Sequence, residues 1–111
     1  MEKLESYRQI VKDYLSARVR PPKREPVETY TVFDTEQDRY LLMSVGWFKK
    51  VNRSYGVIIH IDIKNEKLWI EWNGTEDEIG DELVELGVEK SDIVLAFNAP
   101  YKRQYMDFAV G

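Results

Sequence analysis

Residues Tyr55 to Trp72 read YGVIIHIDIKNEKLWIEW. Side chains two apart on a strand share a face. Tyr55, Val57, Ile59, Ile61 and Ile63 therefore line one side, and Gly56, Ile58, His60, Asp62 and Lys64 the other. With Asn65 and Glu66 as a two-residue turn, Lys64 faces Lys67, Ile63 faces Leu68, Asp62 faces Trp69, Ile61 faces Ile70, His60 faces Glu71 and Ile59 faces Trp72. This register gathers every large apolar residue except Ile58 and Trp69 on one side, and a slip of one residue would scatter them. The stretch predicts a hairpin with a buried face and a polar face. The polar face holds His60, Asp62, Lys64, Lys67, Glu71 and Asn73, with Trp69 projecting from it.

Working outward, Leu4, Tyr7, Val11 and Tyr14 recur at helical spacing, with Ile10 and Leu15 widening the stripe, which predicts an amphipathic helix near residues 2 to 19. RPPKREP ends it, because Pro21 has no amide and biases Arg20 away from helical geometry. VETYTVFDT and RYLLMSVGWF, parted by EQD, read as two strands, and KKVNRS turns the chain into the hairpin, so a meander of four strands is expected. Thr75 followed by Glu78 has the spacing of a capping box that opens a second helix with Ile79, Leu83 and Leu86 as its buried stripe. Gly87 and Val88 fit its C-terminal cap, and Gly80 inside it suggests close packing on the sheet. IVLAF follows as a buried strand, and the tail NAPYKRQYMDFAVG is irregular but too aromatic for a disordered end. The fold class is α+β: an antiparallel sheet, four strands plus a C-terminal one, with two helices mainly on one face.

The chain of 111 residues, taken as one domain over 1–111, is long enough to bury a core without staples. It has no cysteine, which excludes thiol nucleophiles, thiolate metal sites and disulfide frameworks. Its first residues are charged, and no apolar run nears the length of a membrane span, so the cytoplasm is the expected location. A net charge of −4 argues against gripping a polyanion by bulk electrostatics. Arg18, Arg20, Lys23 and Arg24 nonetheless cluster around the prolines, where they could touch phosphate.

His60, the single histidine, stands two residues before Asp62 and near Glu71, and imidazole with carboxylates can bind a divalent cation or relay a proton. The other reading is a solvated sheet face with cross-strand charge pairs. No second histidine, HExxH motif, nucleophile elbow or phosphate-cradling glycine loop accompanies it. No catalytic residue, cofactor or metal is therefore assigned, and the chain reads as a non-enzyme. Trp69, Tyr101, Arg103 and Tyr105 are the candidate contact residues, because aromatics and Arg supply much of the energy at protein interfaces.

ESYRQIV, TVFDTEQDRYLLMSVGW, the hairpin with its following helix, and DIVLAFNAPYKRQYMDFAV together resemble the XisI family of fdxN element excision controlling factors, over nearly the whole chain. The resemblance implies a regulatory, accessory role in excision of a DNA element, beside a XisH-like protein and a separate recombinase, with no catalytic residue carried over. Two alternatives stay open. One is direct DNA contact through Arg18, Arg20, Lys23, Arg24 and Arg103. The other is a small metal-dependent hydrolase using His60, Asp62 and Glu71. Self-association is also expected of a surface with an outward indole.

Overall fold

The computed structural model describes residues 2–20 and 27–111. Lys23, Arg24 and the prolines at 21 and 26 lie outside them, and so do the readings placed on them. Helix α1 (Glu2–Ser16) is followed by β1 (Val27–Asp34), β2 (Arg39–Phe48), β3 (Asn52–Lys64), β4 (Lys67–Asn73), α2 (Ile79–Glu85), a 3-10 turn at Lys90–Asp92, β5 (Ile93–Val94) and α3 (Pro100–Arg103). The five strands form one open sheet in sequence order. The first four make the expected antiparallel meander, and β5 joins β4 in parallel. The fold is α+β, with IVLAF shortened to the pair Ile93–Val94.

Helix α1 earns its place through its stripe. Tyr7, Val11, Tyr14 and Leu15 are buried, and Leu4 and Ile10 pack against the same core. Ile79 and Leu83 of α2 meet them over Tyr40, Leu42, Ile59, Ile61, Ile63, Leu68 and Ile70 of the sheet. Each such aliphatic side chain contributes about 1.5–3 kcal/mol on burial.

The turn at Asn65 and Glu66 is as read, with φ of 54° and 60°. These left-handed values are those a type I′ hairpin turn requires. The inner four pairs also hold, from Lys64 with Lys67 to Ile61 with Ile70. Beyond them the register changes. His60 pairs with Trp72, and Ile59 with Asn73, which leaves Glu71 as an extra residue on β4. A second shift, between Leu42 and Met43, leaves Ile58 as the extra residue of β3. Each bulge reverses which side the following residues face. Ile58 consequently packs against the core rather than standing beside His60, whereas Tyr55, Val57 and Trp72 turn to the opposite face.

Two further expectations are corrected. The T-x-x-E spacing does not make a capping box: α2 begins at Ile79, and Thr75 instead donates its hydroxyl to Asn73 Oδ1 and accepts the Asp77 amide. Leu86 is exposed. The C-terminal cap is as expected, since Gly87 at φ 113° lets its own amide reach Val84 O and the Val88 amide reach Leu83 O, at 3.0 and 3.1 Å.

Candidate functional site

All the described helical contacts to the core come from one side of the sheet, and the other side is the larger unassigned surface. Register places its residues in rows across β1, β2, β3 and β4. At one end stand Lys64 and Lys67, then Asp34, Arg39, Asp62 and Trp69, and next to them Val32, Leu41, His60 and Trp72. Tyr30, Met43 and Val57 follow, then Glu28, Val45 and Tyr55, and finally Trp47 with Arg53. The expected polar face is therefore polar only at its margin. Among its apolar side chains Val32 is 42% exposed, Trp47 47%, Trp72 54% and Tyr55 70%. The two bulges create this face by turning Val57, Tyr55 and Trp72 outward.

His60 Nε2 lies 2.7 Å from Asp62 Oδ1. Glu71, the proposed third member, is the unpaired bulge residue, and Trp72 stands opposite His60 in its place. No group of three or more His, Cys, Asp or Glu among the described residues converges on a point that could hold a metal ion. What the arrangement offers chemically is an orienting contact between an imidazole and a carboxylate beside two indoles.

Trp69 is half-covered. Its indole N–H donates to Lys64 O at 3.2 Å, Lys64 Nζ sits 4.2 Å from its ring centroid, and the Arg103 guanidinium approaches it at 5.7 Å. Arg103 is also the clasp of the tail. Its Nε donates to Asn98 O at 3.0 Å, and Nη2 to Ala96 O at 3.1 Å. The tail is tied again at Ala109, whose amide reaches Ile93 O at 2.8 Å, and at Gly111, whose carbonyl accepts from Lys67. Tyr101 and Tyr105, on and just after α3, remain largely in solvent. The four candidate contact residues thus fall at one corner of the sheet, two of them holding the tail and two displayed by it.

Arg18 and Arg20 line a cleft of about 330 Å³ together with Thr29, Leu42, Ile58, Thr75 and Asp77. Arg18 is already committed: Nη2 lies 2.7 Å from Glu82 and 3.4 Å from Asp77, and the guanidinium stacks 3.8 Å over the Tyr14 ring. The Tyr14 hydroxyl donates to Glu82, and burial with that bond raises its pKa above the ordinary phenol value. A phosphate at Arg18 would have to displace two carboxylates.

The residues missed from the sequence are Trp47, Tyr55, Val57 and Trp72. A signal for the first existed in RYLLMSVGWF, where Leu41, Met43, Val45 and Trp47 are apolar on the face opposite Tyr40 and Leu42. A strand apolar on both sides expects cover on both.

The XisI protein family profile matches residues 1–110. No curated protein matches the chain. Among solved structures, it is similar to a XisI-like protein from Anabaena variabilis ATCC 29413, with 39% identity, a TM-score of 0.81, and 99% of this chain and 97% of that one covered. It is also similar to the fdxN element excision controlling factor XisI of the same organism, at 32% identity and a TM-score of 0.76, over 98% of this chain and 99% of that one. The chain belongs to the XisI protein family.

Proposed function

We propose that this chain is a non-enzymatic accessory factor in excision of a DNA element, acting by binding a XisH-like protein through the corner formed by Trp69, Tyr101, Arg103 and Tyr105. The observation that carries the reading is its similarity, over nearly its whole length, to a protein named as an excision controlling factor. The corner suits such a role. Tyr101 and Tyr105 are 66% and 82% exposed, on a tail pinned at both ends, so docking costs little ordering. Direct DNA contact is the weaker reading, because the Arg18 guanidinium is paired with Glu82 and Asp77 and the net charge is −4.

The test is capture of a purified XisH-like protein by the immobilised chain. Tyr101→Ala with Tyr105→Ala should weaken capture at least tenfold while leaving the thermal melt unchanged. Undiminished capture by the double variant would reject the corner. Salt-sensitive binding of the chain to duplex DNA, lost in Arg20→Ala, would favour the second reading.

A further inference from the structure

We propose that the open face of the sheet is where two copies of this chain pack, sheet on sheet, about a two-fold axis running along the strands between β2 and β3. The extent of the face suits it. Strands about 4.8 Å apart and rows about 6.8 Å apart give a patch on the order of 600 Å² per copy before side-chain relief is counted. Specific interfaces bury about 800 Å² per partner. The composition suits it as well: the middle rows, from Val32 and Leu41 to Val45 and Tyr55, are apolar apart from His60 and the edge residue Glu28. Charge gathers in the end rows, as in an interface with a dry centre and a polar rim.

Charge complementarity selects a second copy as the occupant. A surface that packs on itself must be complementary to its own image under the two-fold. With the axis along the strands, each β2 residue lies over the β3 residue of its own row in the other copy. Arg39 then meets Asp62 of the second copy, and Trp47 meets Arg53, a cation over an indole. Between these ends Met43 closes on Val57 and Val45 on Tyr55. Asp34 of β1 comes over the Trp69 end of β4, beside Lys64 and Arg103. An axis across the strands would instead set Glu28 against Asp34 of the other copy, carboxylate on carboxylate. The chosen axis also keeps the strand directions of the two sheets nearly aligned, the common packing of sheet on sheet.

This assembly touches Trp69 and Arg103 of the tail corner proposed above to bind another protein but needs neither Tyr101 nor Tyr105, the two positions varied to test that corner, so the two ideas fail separately. Sedimentation velocity of the full chain at tens of micromolar should show a dimer. Val57→Asp, and Tyr55→Glu at a position 70% exposed, should weaken it at least tenfold with an unchanged circular dichroism spectrum. The decisive arm uses charge. Arg39→Asp alone places Asp on Asp across the interface, and Asp62→Arg alone places Arg on Arg, so each variant should be monomeric. An equimolar mixture of the two should dimerise, since both cross-copy contacts become Asp with Arg. Positions 39 and 62, register neighbours within one chain, carry like charges in both variants, so an attraction inside either chain cannot explain that result. A monomeric wild-type chain, a dimer indifferent to Val57→Asp and Tyr55→Glu, or variants that do not complement would each overturn the proposal. So would a wild-type monomer whose open face captures a different protein.

Discussion

Tyr7 shows how much one side chain can hold. Its hydroxyl donates to Asp92 Oδ2 at 2.6 Å and accepts the Glu89 amide at 3.2 Å, joining α1 to the turn before β5. Lys3 Nζ completes the cluster, 2.7 Å from Asp92. A buried carboxylate and a backbone donor both depend on that oxygen, and a polar group stripped of its partner costs about 1–3 kcal/mol. Tyr7→Phe, which keeps the ring in the core, is therefore expected to lower unfolding stability by about that amount in urea titration. A change indistinguishable from wild type would mean that water replaces the hydroxyl.

At the scale of elements, two turns of chain are held against local preference. Glu66 occupies the second position of the type I′ turn at φ 60°, a value at which a residue with a β-carbon costs about 1–2 kcal/mol relative to glycine. Glu66→Gly should stabilise the fold by roughly 0.5–1 kcal/mol once the greater entropy of glycine in the unfolded chain is subtracted, and so raise the midpoint of thermal unfolding. Gly80 is the opposite case. Alanine is favoured over glycine inside a helix by about 1 kcal/mol, yet a β-carbon at Gly80 would stand 2.8 Å from the Phe108 ring. The close packing expected of Gly80 is real, but it is against the tail rather than the sheet. Gly80→Ala should destabilise the wild-type chain and stabilise one that already carries Phe108→Ala, a reversal that a double-mutant cycle reads directly.

For the molecule as a whole, two carboxylates tie α1 to the sheet and make the fold acid-sensitive. Asp38 takes a bidentate hydrogen bond from Arg8, at 2.9 and 3.0 Å, and a third from Tyr40 at 2.8 Å. The Arg8 bonds hold its pKa below the ordinary carboxylate range. At Asp92 burial pushes upward, but the bonds from Lys3 and Tyr7 outweigh it and the net shift is downward. A folded pKa below the unfolded value means that the stabilisation is present at neutral pH. It fades as pH falls through the unfolded value near about 4 and is gone below the folded one. Melting temperature should therefore hold steady from neutral to about pH 5 and fall steeply below it. Asp38→Asn should start lower and fall less. A wild-type curve flat to about pH 3 would contradict the role given to both groups.

What the sequence by itself determined is whatever short-range rules decide: the stripe of α1, the two-residue turn at Asn65 and Glu66, the four pairs that follow it, the Gly87 cap, and the antiparallel meander. Each depends on residues within a few positions of one another, so the signal survives without knowledge of the rest of the chain. The tertiary structure decided which face each strand end shows. The bulges at Ile58 and Glu71 have no local signature, because nothing in the alternation around them marks an inserted residue. It is selected by what lies far away in sequence, the span of sheet that α1 and α2 can cover. Beyond that span the parity of β3 and β4 reverses, which moved Trp72 out of the expected core and Ile58 into it. The same dependence on distant partners set the tail, where Arg103 turned inward to backbone carbonyls while Tyr101 and Tyr105 stayed outside.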